Sequence, residues 1–263
     1  MFLISTRRTA LALALGCAAA LPLTVQAMPI TKTVNVNVYQ VCDDAGAVCA
    51  SKGPVGNEYF VDSTNKIWAQ VGISVTFSFI SQILSSAFLD LDDVPGDDFA
   101  ALHAGYGTMG PSATGVDMFL INSFAGAYGV GWSGAGGLVM SMQTIMDFDC
   151  NGAPGCTGRI DTLAHELGHN FGLTAAGDPG ANPGDPGHSS DPNNLMAGGQ
   201  YRNVPTTLAD INPSGLGFDR LTQFQIDQAR TSTLLRDVPE PASLALVGLA
   251  LLGLGATRRR RPG

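Results

Sequence analysis

Residues 162–180 read TLAHELGHNFGLTAAGDPG. Leu163, Leu167 and Phe171 recur every four residues and mark one apolar face of a helix over about Ile160–Phe171. His165 and His169 share the same spacing on another face. They lie one turn apart, so two imidazoles can converge on one metal ion. Glu166 sits beside them, placed to accept a proton from metal-activated water rather than to bind the metal. Gly168, inside the helix, costs about 1 kcal/mol relative to alanine, which points to a close approach by a neighbour. The pattern His-Glu-x-x-His also arises on ordinary surface helices, but two of the four histidines of the whole chain fall in it. A third ligand does not follow at once, because Leu173, Thr174, Ala175 and Ala176 bind no metal. Asp178 is one downstream candidate, since carboxylates also bind zinc. Asp178-Pro179-Gly180 is also a turn signal in its own right.

Both ends of the chain read as addresses rather than as fold. Arg7 and Arg8, an apolar run from Ala10 to Ala20 and the small-x-small site Val25-Gln26-Ala27 predict a secretory signal peptide over residues 1–27. The opposite end has Val238-Pro239-Glu240-Pro241, an apolar stretch Ala242–Ala256 and the cluster Arg258–Arg261. The apolar stretch is marginal for a full membrane span, and the arginines would stay on the cytoplasmic side. Residues 28–237 are left as the folded domain, of a size expected for one unit.

The net charge of −8 becomes about −14 once the six arginines of the two ends are set aside. Such an acidic domain disfavours nucleic acid and anionic membrane surfaces as partners. Cys17 leaves with the signal peptide. The four remaining cysteines form two local pairs, Cys42 with Cys49 and Cys150 with Cys156, which in an oxidising compartment suggests two disulfides. Neither pair has the tight Cys-x-x-Cys spacing of a zinc site.

Within the domain, TKTVNVNVYQV (Thr31–Val41) alternates with period two and predicts a strand with Val34, Val36 and Val38 on one face. Asn57–Val71 places Phe60, Thr64, Ile67, Trp68 and Val71 at helical spacing, and Gly72 ends it. Ile73–Ile80, Val116–Ile121 and Leu138–Met142 read as further strands, Gly126–Gly137 as a glycine-rich turn region, and Leu221–Leu235 as a last amphipathic helix with Leu221, Phe224, Ile226 and Leu234 apolar. Five aspartates between Asp90 and Asp98 form either a solvated loop or a calcium site. His103 has no partner motif and reads as a surface or structural residue. Strands and helices mix without regular alternation, which predicts the α+β class with a mixed twisted sheet.

HELGHNFGL followed by a methionine-containing turn resembles the metzincin zinc endopeptidases, the matrixin- and reprolysin-like members in particular. In that clan the third ligand comes three residues after the glycine, which here is Ala175. However, His188-Ser-Ser-Asp-Pro-Asn-Asn-Leu-Met196 resembles the matrixin segment from third histidine to turn methionine. Deleting the 13 residues 175–187, AAGDPGANPGDPG, would join the two halves. Lengthening the closing loop from about 3 to about 16 residues costs ~1.5 kcal/mol. A zinc site contributes on the order of 10 kcal/mol. The resemblance therefore implies Zn2+ on His165, His169 and His188, Glu166 as general base, and Met196 as the floor beneath the ligands. It implies hydrolysis of a protein or peptide substrate, laid along Leu138–Met142 as an edge strand. The tail resembles the PEP-CTERM signal of Gram-negative bacteria. That implies export, processing by an exosortase-type enzyme, transient membrane association through the tail, and a cell-surface or extracellular destination. The competing reading is a non-catalytic zinc- or calcium-binding surface protein on the same fold.

Overall fold

The alternating segment that opens the domain is the hub of a six-stranded mixed sheet. The computed structural model describes residues 27–239 except 93–96, 108–114, 125, 133–135, 153, 174–177, 200 and 214–216. The expected signal peptide, but for Ala27, and all but the first residues of the tail thus lie outside the described residues, as do Asp93 and part of the 175–187 insert.

Strand β1 (Lys32–Cys42) is followed by helix α1 (Val61–Ala69) and β2 (Ile73–Leu84), which lies parallel to β1 along its whole length. Gly72, at φ +71°, makes the turn that ends the α1 region. After α2 (Ser86–Leu89), β3 (Asp90–Leu91) and α3 (Asp97–Tyr106), β4 (Val116–Ile121) pairs parallel with the other edge of β1. All six β4 residues are buried, the mark of a strand covered on both faces. Beyond β5 (Ser123–Phe124) come β6 (Gly129–Gly131) and β7 (Gly137–Ser141). Strand β7 pairs parallel with β4 and antiparallel with β6, which forms the sheet edge. The chain then runs through α4 (Met142–Met146), α5 (Thr162–Asn170), a hairpin of β8 (Ala181–Asn182) and β9 (Asp185–Ser189), α6 (Gln223–Arg230) and β10 (Arg236–Asp237). Strand β10 closes antiparallel on Lys32 and Thr33.

The sheet is mixed, as expected, but its four central strands run parallel through crossover connections rather than in the antiparallel order that α+β suggests. Leu138–Met142 is not the edge. It is held on both sides, and the free edge belongs to Gly129–Gly131, inside the segment whose glycines read as a turn. The last helix is shorter than Leu221–Leu235: it spans Gln223–Arg230, and Thr222 caps it by accepting from Gln225 N. Its buried face carries Gln225 and Ala229, while Phe224 is exposed. Both disulfides, Cys42–Cys49 and Cys150–Cys156, are formed.

Phe60, Thr64, Ile67, Trp68 and Val71 are buried as their spacing predicts. Trp68 meets Phe171 edge-on, ring centroids 4.7 Å apart, and so ties α1 to the end of α5. His103 is structural: it lies 4.0 Å from the buried Asp117 and under Gly137, whose missing Cβ leaves room for its ring.

Candidate metal centre

Helix α5 is buried at every position but His169, which is half-buried. Its end is set by Gly172 at φ +82°. Gly172 N donates to His169 O (3.0 Å) and Leu173 N to Gly168 O (2.9 Å), the paired bonds of a Schellman cap, with Leu173 buried behind them. A Cβ at Gly168 would overlap Met196 Sδ. The helix cost of this glycine is thus explained by a methionine lying against the turn that separates the two histidines. Met196 is itself held in a tight turn, with Ala197 N donating to Asn194 O and Met196 N to Asn194 Oδ1.

The 175–187 insert is not a plain loop, because residues 181–189 form the β8–β9 hairpin. Several bonds anchor it. Gly180 O accepts from Ser190 N, and Ser189 N donates to Met196 O (2.7 Å). Asp178 is buried at its base, accepting from Gly180 N (2.8 Å) and Gln225 Nε2 (3.0 Å). Gln225 and Asn194 exchange amide hydrogen bonds, joining hairpin, methionine turn and α6 in one network. Asp178 therefore braces the insert and is not gathered with the histidines.

His188, on β9, is carried back to α5. Potential ligand atoms of His165, His169 and His188 all lie within 4.8 Å of one another. Tetrahedral zinc with bonds of about 2.1 Å needs a separation of about 3.4 Å, which small side-chain rotations reach. The His165 and His188 rings are parallel (9°, centroids 5.3 Å), and the His169 ring stands nearly perpendicular to both. Nδ1 of His165 is engaged by Leu195 O at 2.7 Å, and Nδ1 of His188 by Asp185 Oδ2 at 2.8 Å. Such outer partners fix the tautomer and leave Nε2 free for a metal. Arg202 Nη1 also donates to Leu195 O (2.7 Å) and abuts His165 Nδ1. We assign the Nδ1 proton to the Leu195 bond, so that two donors share one carbonyl. The opposite choice would put a proton on Nε2.

Burial pushes His165 well below its ordinary pKa, with Arg202 and His169 adding to the effect. Burial, then His188, lowers His169 to about 4. Both imidazoles are therefore neutral at pH 7, as metal ligation requires. Burial raises Glu166 to about 7 against the pull of Arg202 and of a hydrogen bond from the Gly131 backbone. The donor set thus fits zinc. It is also the only group of three His, Cys, Asp or Glu side chains gathered closely enough to hold a metal among the described residues.

The edge strand explains its own glycines. A Cβ at Gly129 would come within 2.9 Å of Glu166 Cγ, and one at Gly131 would overlap the Glu166 carbonyl. Gly131→Ala should therefore lower stability by about 1–3 kcal/mol through overpacking against backbone that cannot yield. Gly105→Ala, in α3 with nothing within 4 Å of the added carbon, should cost nothing. Thermal unfolding of the two variants makes the comparison.

Beneath the start of α5 lies a buried charged cluster that no motif announces. Asp161 is ion-paired with Arg202 Nε (2.9 Å) and lies 3.6 Å from Arg159 Nε. Asp219, fully buried, is held well above the ordinary carboxylate range by burial first and the charge of Asp161 second. An acid whose folded pKa is raised stabilises the fold below its unfolded pKa and loses that contribution as pH climbs through the folded value. Asp219→Asn should therefore gain in thermal stability over wild type, and gain more at pH 8 than at pH 5. Asparagine also tolerates the φ of +55° found there.

The C-terminal stretch 237–261 matches a known family, the PEP-CTERM protein-sorting motif. The tail is a PEP-CTERM signal. The PEP-CTERM match takes in the proline-rich motif, the apolar stretch and the arginine cluster, and none of the metal centre. No curated protein matches the chain in sequence. Among solved structures, the chain is similar to archaemetzincin from Methanopyrus kandleri at 15% identity and TM-score 0.40, over 76% of this chain and 95% of that one. It is similar also to a zinc-dependent peptidase from Methanocorpusculum labreanum at 12% identity and TM-score 0.40, over 74% and 99%. Likeness at this level carries no weight for the chemistry, which rests on the side chains.

Proposed function

We propose that this protein is an exported zinc-dependent endopeptidase. The observation that carries the reading is the meeting of three imidazoles from two distant segments, two of them with Nδ1 already engaged, beside a buried glutamate. A purely structural zinc site gives Glu166 no task. Zinc held by His165, His169 and His188 would supply a Lewis acid that acidifies water and polarises a carbonyl. Glu166 takes the proton from the attacking water and returns it to the leaving amine. No acyl-enzyme is needed, so no serine or cysteine nucleophile is called for.

The substrate lies extended along β6, whose outer edge is unpaired in the sheet and whose glycines bring that edge down onto Glu166. Met196, against Gly168, supports the two α5 ligands from below. The spacing from His188 to Met196 favours a matrixin-like relationship, with the β8–β9 hairpin as an insertion. The PEP-CTERM signal supports processing by an exosortase-type enzyme and a surface or extracellular site of action.

Chelation tests the reading. Treatment with a zinc chelator should abolish cleavage of an unfolded protein substrate, and stoichiometric zinc should restore it. Undiminished cleavage by protein shown to be metal-free would rule the mechanism out.

A further inference from the structure

A cavity of about 600 Å³ opens beside the three histidines. His165, Glu166 and His188 line it together with Arg159, Tyr128 and Gly199. Arg159 is 3% exposed, and its Nε is fully buried with no hydrogen-bond partner. Its guanidinium lies over the Tyr128 ring (4.4 Å) and near Phe148 (6.0 Å). These faces hold the plane of the fork but accept none of its in-plane N–H groups. Asp161 is the only carboxylate ion-paired with Arg159 among the described residues, at 3.6 Å, and the same carboxylate makes the closer ion pair with Arg202, at 2.9 Å. Two buried cations thus share one anion. The other carboxylates on the cavity wall are committed elsewhere: Asp185 to His188, Glu166 to the Gly131 backbone. A Cβ on Gly199 would stand 3.5 Å from Arg159 Nη1, so it is a glycine that leaves the approach to the fork clear.

We propose that this cavity receives a substrate carboxylate, which Arg159 binds through its guanidinium fork. The inference rests on the peptidase reading and names its specificity: the residue seated beside the metal centre is acidic, or is a chain end with a free carboxylate. Arginine suits this task because its paired donors match a carboxylate, and a low-dielectric setting strengthens the contact.

Three labelled peptides of one apolar sequence provide the test: one amidated at the C-terminus, one amidated with an internal glutamate, one with a free C-terminus. Binding is read by fluorescence anisotropy on the zinc-loaded Glu166→Gln variant, whose turnover is slowed enough to leave the peptides intact over the measurement. One of the two carboxylate peptides should bind about tenfold or more tightly than the amidated apolar peptide, the range of a hydrogen-bonded charged group. Preference for the internal glutamate assigns side-chain recognition, and preference for the free end assigns terminal recognition. Adding Arg159→Gln should bring the ratio close to one at unchanged zinc content. Gly199→Val, which leaves the charged cluster intact and fills the approach, should do the same. Equal affinity for all three peptides, or a preference that survives both substitutions, overturns the proposal. Cleavage-site mapping with the wild-type protein separates this from the peptidase reading. Cleavage without acidic preference removes the carboxylate site alone, whereas carboxylate-dependent binding without any cleavage removes the peptidase reading alone.

Discussion

Changing His188 to alanine is expected to strip the metal from the protein and abolish hydrolysis. The residue supplies one of three imidazoles within 4.8 Å of one another, and the other two come from a single helix. A zinc site worth on the order of 10 kcal/mol loses about 3 kcal/mol with one of its ligands, or about 100-fold in affinity. Metal analysis after dialysis against a weak chelator should find wild type loaded and the variant bare. The fold should survive, because His188 lies on a hairpin anchored through Gly180, Met196 and Gln225, and its imidazole adds to these a bond to Asp185 on the same strand. Far-ultraviolet circular dichroism close to that of wild type would establish this. Asp178→Ala should behave differently, loosening the hairpin while leaving the three imidazoles in place, so that metal content falls little.

The second large effect belongs to Glu166. Glu166→Gln keeps the volume and the hydrogen bond from Gly131 but cannot take a proton. Turnover should fall by about 10²–10⁴-fold, the usual contribution of a general base, with zinc content unchanged. The pH profile carries the same information. Burial raises this carboxyl to about 7, and the charge of a bound metal draws it back down. The base is the ionised form, so activity rises with pH through a midpoint at or below about 7. That acid limb should be missing from the residual activity of the glutamine variant. A limb that persists would assign the titration to another group.

How much of this was legible in the sequence follows from the range of each interaction. The α5 histidines and Glu166 could be read because their geometry is local: four residues of helix fix which side chains share a face. The burial of β1, α1 and β4 was legible for the same reason, from period-two, helical and continuous apolar patterns. The proximity of His188 was legible only through its spacing from Met196, since the insert between hides the connection. The hairpin itself was not legible, because its strands are glycine- and proline-rich and are held by side-chain bonds from Ser189, Ser190 and Asp178 instead of by propensity. Strand β6 was misread as a turn because its glycines answer to Glu166 beneath them rather than to any strand pattern. The last helix reads too long at its C-terminal end, where Thr231 N and Ser232 N turn back onto Gln228 O and Ala229 O and close the helix before Leu234 and Leu235, which are buried beyond it. Arg159 left no motif. Its one signal was scarcity, an arginine three residues ahead of the α5 helix in a domain with few basic residues.

The central claim is that His188 reaches across the insert to complete a three-histidine site. X-ray absorption at the zinc edge, on zinc-loaded wild type and on any zinc that His188→Ala retains at saturating metal, tests it most directly. The account predicts three imidazole nitrogens at about 2.0–2.1 Å with one further light ligand in wild type, and two imidazoles in the variant. A wild-type shell of two imidazoles and a carboxylate, unchanged by His188→Ala and lost with Asp178→Ala, would contradict it.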